Sequence, residues 1–287
     1  MKEESLLAET KQLLRRFNLR ARKRLGQRFL IDGDVLQRIL SAAELTADDI
    51  VLEVGPGLGI LTRELAQRAR RVIAIELDDK LANFLKQELV SFPNVMIINE
   101  DILKIEPATL LARPERYKVV ANLPYYITSP VLRHFLEATL KPDLMVVMVQ
   151  KEVAEAIVAG PGKRSLLSIS VQFYGRPTII GKVPANSFYP APEVDSAILR
   201  IDLYPKPAVA VDDTEGFFGT VRAGFASPRK QLANSLAQGL GWPKADVLSV
   251  LAEASIAPQR RAETLTLEEW AQLRQAYAQW QKKKVLC

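Results

Sequence analysis

The feature that most limits how this chain can fold is the segment Val51-Leu-Glu-Val-Gly-Pro-Gly-Leu-Gly-Ile-Leu-Thr62. A short apolar run leads into glycines at 55, 57 and 59, and a helical pattern of apolar residues follows. Strand, glycine-rich turn and helix in that order form the first crossover of a doubly wound sheet, with backbone NH groups gathered around a ligand position. Further β-branched runs, Val72 to Ile75, Val95 to Ile98, Lys118 to Ala121 and Leu144 to Val149, alternate with helical patterns at Ile60 to Ala69, Asp79 to Leu89, Pro130 to Leu140 and Lys151 to Val158. That alternation predicts an α/β fold with a parallel sheet. Pro130 suits the first turn of its helix.

Beyond Gly160 the pattern changes. Ser168 to Tyr174 and Ala197 to Leu203 read as two late strands that complete the sheet with an antiparallel edge. Pro205 and Pro207 mark a linker, and from Thr214 onward only helical patterns appear, at Phe217 to Phe225, Arg229 to Leu240, Lys244 to Ala254 and Leu267 to Trp280. The expected domains are a catalytic domain over 1–205, opening with a basic segment over 1–30, and a smaller all-helical domain over 206–287.

The spacing of the glycines narrows the ligand. A dinucleotide fingerprint places its third glycine where Ile60 stands, so a pyrophosphate cradle is disfavoured. Glu76 ends the second strand about 20 residues past Gly55, where a carboxylate accepts from ribose hydroxyls. Asp101, after the third strand, is placed to accept from an adenine amino group, although alone it also suits a turn cap. An adenosine read at two points with no phosphate binder points to S-adenosylmethionine rather than NAD.

Asn122-Leu-Pro-Tyr125 ends the fourth strand. The lone pair of an adenine N6 amine is delocalised into the ring, and it becomes nucleophilic only when acceptors pull the amine toward tetrahedral geometry. The Asn122 side-chain oxygen and the Leu123 carbonyl, freed because Pro124 has no NH, supply two such acceptors. Tyr125 offers a ring to stack on a base taken out of its helix. No strong general base is needed, because the amine acidifies as it gains the methyl group.

At these residues the chain resembles the ribosomal RNA adenine N6,N6-dimethyltransferases. The resemblance runs from about Arg22 to Trp270. Its landmarks are Arg22-Lys-Arg-Leu-Gly-Gln-Arg-Phe-Leu30, the Gly55 turn, Asn122 to Tyr125, Gln150-Lys-Glu-Val153 and Phe188-Tyr-Pro-Ala-Pro-Glu-Val-Asp-Ser196. It implies a Rossmann-like class I S-adenosylmethionine-dependent methyltransferase sheet. It further implies that Arg28, Leu30, Gly55, Gly57, Glu76, Asp101 and Asn122 bind the cofactor. Asn122, Leu123, Pro124, Tyr125 and Phe188 would hold the target adenine, the last as a second ring across its far face. The family usually carries Asn or His where Arg28 stands, so a contact there survives only through the backbone. The implied activity is dimethylation of adenines in small-subunit (16S) ribosomal RNA, with a role in small-subunit biogenesis. A large-subunit enzyme of the macrolide-resistance type and an RNA-binding assembly factor are the alternatives.

Charge agrees with an RNA partner. Lys and Arg number 39 against 33 Asp and Glu, a net charge of +6. Lys11, Arg15, Arg16, Arg20, Arg22, Lys23, Arg24 and Arg28 fall in one stretch without an acidic residue. In the C-terminal part Arg222, Arg229, Lys230, Arg260 and Arg261 are candidate phosphate contacts that position without selecting a base. One histidine, His134, and one cysteine, Cys287, leave no basis for a His/Cys metal site or an internal disulfide. His134 and the three tryptophans read as packing residues. No apolar run is long enough to span a bilayer, and Glu3, Glu4 and Glu9 argue against a transit peptide. The expectation is a cytoplasmic monomer acting on the pre-30S subunit.

Overall fold

The computed structural model describes residues 5–111 and 115–285; Cys287 lies outside them. In chain order the elements are α1 (Leu6–Arg16), β1 (Phe29–Leu30), α2 (Gly33–Ala43), β2 (Ile50–Val54), α3 (Ile60–Ala66), β3 (Arg71–Glu76), α4 (Asp79–Glu88), β4 (Val95–Asn99), β5 (Lys118–Asn122), α5 (Thr128–Glu137), β6 (Leu144–Gln150), α6 (Lys151–Val158) and α7 (Leu166–Tyr174). There follow β7 (Gly175–Val183), β8 (Phe188–Tyr189), β9 (Ser196–Leu203), α8 (Thr214–Gly224), α9 (Leu232–Leu240), α10 (Lys244–Glu253) and α11 (Leu267–Val285).

The chain divides into two compact units, Met1–Glu155 with Arg176–Leu203, and Ala156–Gly175 with Tyr204–Cys287. In the first, seven strands run in the order β4-β3-β2-β5-β6-β9-β7. The pairs β2 with β3, β3 with β4, β2 with β5 and β5 with β6 are parallel, and β9 joins β6 antiparallel. Every residue of β2 is buried, as helices on both faces require, and this is why the central strands read as unbroken apolar runs. From β2 the chain winds outward to β3 and β4, then returns to β5 on the other side. That reversal opens a crevice at the carboxyl ends of β2 and β5, where Gly55 and Asn122 stand. Pro130 falls in the first turn of α5, where its missing NH breaks no helical bond.

The segment read as a strand at Ser168 to Tyr174 is instead helix α7. Its β-branched and aromatic residues suit either state. A capping box settles the matter: Ser165 accepts from the Ser168 NH, and Ser168 Oγ accepts from the Ser165 NH. The late strand comes one element later, as β7.

The second unit is helical in all its described regular elements beyond Leu203. Phe173 stacks on Phe217 at 4.9 Å between ring centroids, and Trp270 is fully buried. Trp242 packs between Tyr277 and Trp280. The tryptophans thus pack as expected. Among the described residues no helix is long and apolar enough to cross a membrane.

Candidate active site

The cleft at the sheet's switch point is built from four strand ends. Parallel pairing aligns Val54 with Ile75, Glu76 with Asn99, and Asn122 with Met148, so the loops after β2, β3, β4 and β5 converge. Residues Leu25 to Leu30 close one side.

Gly55 and Gly57 have φ of +68° and +61°, a region that side chains rarely adopt. A Cβ on Gly57 would stand 3.3 Å from the Phe29 ring, and one on Gly55 would meet Pro124. The bare backbone therefore keeps open a cradle that a ligand can approach. Glu53, also in the cleft wall, is 1% exposed, and burial pushes its carboxyl up to about 8. Its Oε2 has no hydrogen-bond partner among the described residues.

Glu76 is held by two backbone donors, the Gly57 NH at 3.1 Å and the Asp78 NH at 2.9 Å, one to each oxygen. Each oxygen retains a lone pair for a hydroxyl donor. Burial nonetheless outweighs these bonds and pushes the carboxyl up to about 7. Asp101 accepts from the Leu103 NH through Oδ1 and caps the turn after β4, while still lining the cleft. The cap reading and the binding reading are therefore compatible, since Oδ2 accepts from no described group.

Asn122 Nδ2 donates to the Arg28 carbonyl at 2.9 Å. With the amide nitrogen so committed, Oδ1 is left as a free acceptor. The Arg28 contact with Asn122 runs through the backbone. The Leu123 NH continues the ladder to the Met148 carbonyl, whereas no described group donates to the Leu123 carbonyl. Pro124 holds an extended backbone and Tyr125 starts a short 3-10 turn, which brings both into the cleft. The Tyr125 hydroxyl shares a hydrogen bond of 2.7 Å with Ser196 Oγ, and burial raises its phenol.

The structure brings all the expected residues together except Phe188. Phe188 is 2% exposed and sits in the hydrophobic cluster with Leu30, Val35 and Leu36. Its strand β8 pairs antiparallel with β1, so it backs Leu30 rather than facing the cleft. Phe188 is not among the residues that line the cleft in this arrangement, and burial of its apolar ring favours the core position.

Sequence reading also missed residues. Tyr126 is an exposed ring on the cleft wall, packed against Gly26. Asp78 ties the arm to the cofactor side: Arg22 pairs with it at 3.0 Å, Gln27 donates to it at 3.0 Å, and its own NH bonds Glu76. The Gly-Gln pair before Arg28 was the available signal. His134 bonds the Ile105 carbonyl at 2.9 Å, a packing role. In the second unit Arg260 is engaged by Glu269 and is not a free phosphate contact, whereas Arg222 and Arg229 are exposed.

Comparison with known proteins gives a consistent picture. The family model described as ribosomal RNA adenine dimethylase matches residues 18–279. The chain is 54% identical to the ribosomal RNA small subunit methyltransferase A of Dehalococcoides mccartyi over 276 residues, covering 96% of this chain and 94% of the other. It is 42% identical to the protein of the same name from Alkaliphilus metalliredigens, covering 93% of this chain and 95% of the other. Among solved structures it is similar to a dimethyladenosine transferase from Plasmodium falciparum, with a TM-score of 0.76, 25% identity, and 88% and 98% of the two chains covered. It is also similar to the 23S rRNA methyltransferase ErmE, with a TM-score of 0.68, 32% identity, and 86% and 98% covered.

Proposed function

The chain belongs to the ribosomal RNA adenine dimethylase family, and on that premise we propose that it transfers methyl groups from S-adenosylmethionine to N6 of adenines in small-subunit ribosomal RNA, giving N6,N6-dimethyladenosine. The observation that carries the chemistry is the pair of acceptors at the end of β5, Asn122 Oδ1 and the Leu123 carbonyl, beside the glycine cradle.

S-adenosylmethionine supplies an electrophilic methyl group on a sulfonium. Glu76 would accept from the ribose hydroxyls and Asp101 from the adenine amine of the cofactor, and Gly55, Gly57, Leu30 and the Arg28 backbone would shape the remaining wall. The two acceptors at Asn122 and Leu123 would accept hydrogen bonds from the N6 amine of the target, which would turn the nitrogen lone pair toward the methyl group. Tyr125 stacks on the base, and Pro124 keeps the Leu123 carbonyl out of any ladder. Rate enhancement comes from positioning and dry surroundings, with no side chain required as a strong base. Each transfer would break the S–CH3 bond, with the electron pair staying on sulfur as the neutral thioether product, and the cationic amine would pass one proton to water along its acceptor. A second transfer would follow the same route once the methylated amine turns its remaining hydrogen to an acceptor.

Residues 1–205 carry this chemistry in our reading, and 206–287 dock structured RNA, with Arg222 and Arg229 on exposed positions. The enzyme acts as a monomer in the cytoplasm on an assembling pre-30S subunit. Relatives named for the small subunit share 42% to 54% identity with the chain, against 32% for the large-subunit enzyme, which favours the small-subunit substrate. The discriminating experiment presents unmethylated small and large subunits in parallel with labelled cofactor. Label confined to small subunits is the expected result; label in large subunits would overturn the substrate assignment.

A further inference from the structure

Helix α1 turns Leu6, Thr10 and Leu13, continued by Phe17, to one side at the spacing of one helical face. That side is anchored. Thr10 and Leu13 are buried, Phe17 meets Phe84 of α4 edge to face at 4.7 Å, and Glu9 pairs with Arg63 of α3. The opposite face presents Lys11 and Arg15, with Arg16 at its flank, and Arg20 follows just past the helix; all four are exposed. Among the described residues none of the four has a carboxylate within ion-pair distance, in contrast to Arg22, which is spent on Asp78.

The position of this face matters as much as its sign. Lys11 Nζ stands over the Tyr189 ring, 5.6 Å from its centroid. Tyr189 pairs across the β1–β8 ribbon with Phe29, which lines the cleft. The cationic face therefore runs up to the rim of the active site. Lys11, Arg15 and Arg16 also lie outside the part of the chain matched by the family model, which begins at residue 18.

We propose that Lys11, Arg15, Arg16 and Arg20 form a rigid docking ridge for the phosphate backbone of the RNA substrate, leading the strand toward the cleft. The partner class rests on the function given above; the ridge itself is a site for a polyanion with closely spaced phosphates. Cations fixed on an anchored helix bind phosphates without losing the order that a free arm would lose, and they position RNA without reading its bases.

The test is a triple variant, Lys11→Gln with Arg15→Gln and Arg16→Gln, and separately Arg20→Gln, with salt-dependent binding measured on two probes: small-subunit ribosomal RNA and a mixed-sequence RNA duplex. All four positions are exposed, so folding is preserved, and circular dichroism checks it. Each lost phosphate contact flattens the slope of log affinity against log salt by about one. The triple variant is expected to lose about two to three from the slope and about ten-fold or more in affinity at moderate salt, with cofactor affinity and kcat at saturating RNA unchanged. Unchanged slopes overturn the ridge, as does a parallel loss of cofactor affinity, which would make α1 a support for the cleft. The duplex arm separates this outcome from the assigned reaction: a slope lost there upholds the ridge even if no adenine were methylated. Normal methylation with coincident slopes overturns the ridge and leaves the reaction standing.

Discussion

Asn122 Nδ2 donates to the main-chain carbonyl of Arg28 at 2.9 Å, across 94 residues of sequence. On the proposed chemistry, this bond leaves the oxygen end of the Asn122 amide for the target amine. It ties the acceptor at the end of β5 to the arm that walls the cleft, so the acceptor is aimed before RNA arrives. The side chain at position 28 plays no part in the bond.

The Tyr125 ring is fixed through its hydroxyl by Ser196, which is fully buried on β9. If Ser196 acts by holding that ring, Ser196→Ala and Tyr125→Phe each slow transfer by about five-fold, the worth of one hydrogen bond. The double variant is then no slower than either single one. Steady-state kcat and KM for RNA check this; additive losses would assign Ser196 a separate structural role.

Glu76 accepts ribose hydroxyls best as a carboxylate, and burial pushes it up to about 7. Cofactor affinity is therefore expected to fall as pH drops through 7, and Glu76→Gln to bind more weakly at pH 8 with a flattened pH dependence. Calorimetric titrations between pH 6 and 8.5 measure it. A pH-independent wild-type affinity would remove Glu76 from the role.

For stability the sign runs the other way. Glu53, pushed up to about 8 by burial, keeps its proton in the folded state over the range where the unfolded chain has lost it. Its penalty is absent below the ordinary carboxylate range and grows as pH rises toward 8. Glu53→Gln should raise the melting temperature at pH 9 and leave it nearly unchanged at pH 4, by differential scanning calorimetry.

Phe188 separates packing from stacking. As a core residue behind Leu30, Phe188→Leu keeps most of the buried volume and should retain methyl transfer with a modest loss of stability, while Phe188→Ala costs about 3–5 kcal/mol. Thermal unfolding alongside activity checks both. A folded Phe188→Leu protein that binds cofactor but transfers no methyl would return the ring to the target base.

How far the sequence could be read follows from where its signals are local. The central strands are buried on both faces, so β2 announced itself, and the glycine turn and Asn122 to Tyr125 carry their chemistry in consecutive residues. Helix α7 was hidden because six of its nine residues are buried and none is exposed, which erases the polar side that gives a helix its period. The placement of Phe188 and the clamp on Asp78 depend on pairing between distant segments, β1 with β8 and Gln27 with Asp78 across 51 residues, which no local pattern reports.

The most direct test of the central claim is methyl transfer from labelled S-adenosylmethionine to unmethylated small subunits by the wild type and by Asn122→Ala, followed by nucleoside mass analysis. The account predicts N6,N6-dimethyladenosine from the wild type. It predicts a loss of about a hundred-fold or more in Asn122→Ala, the scale of removing one aligned polar contact at a reacting centre, with folding intact. Transfer at the wild-type rate by Asn122→Ala, or label on any atom other than adenine N6, would contradict it.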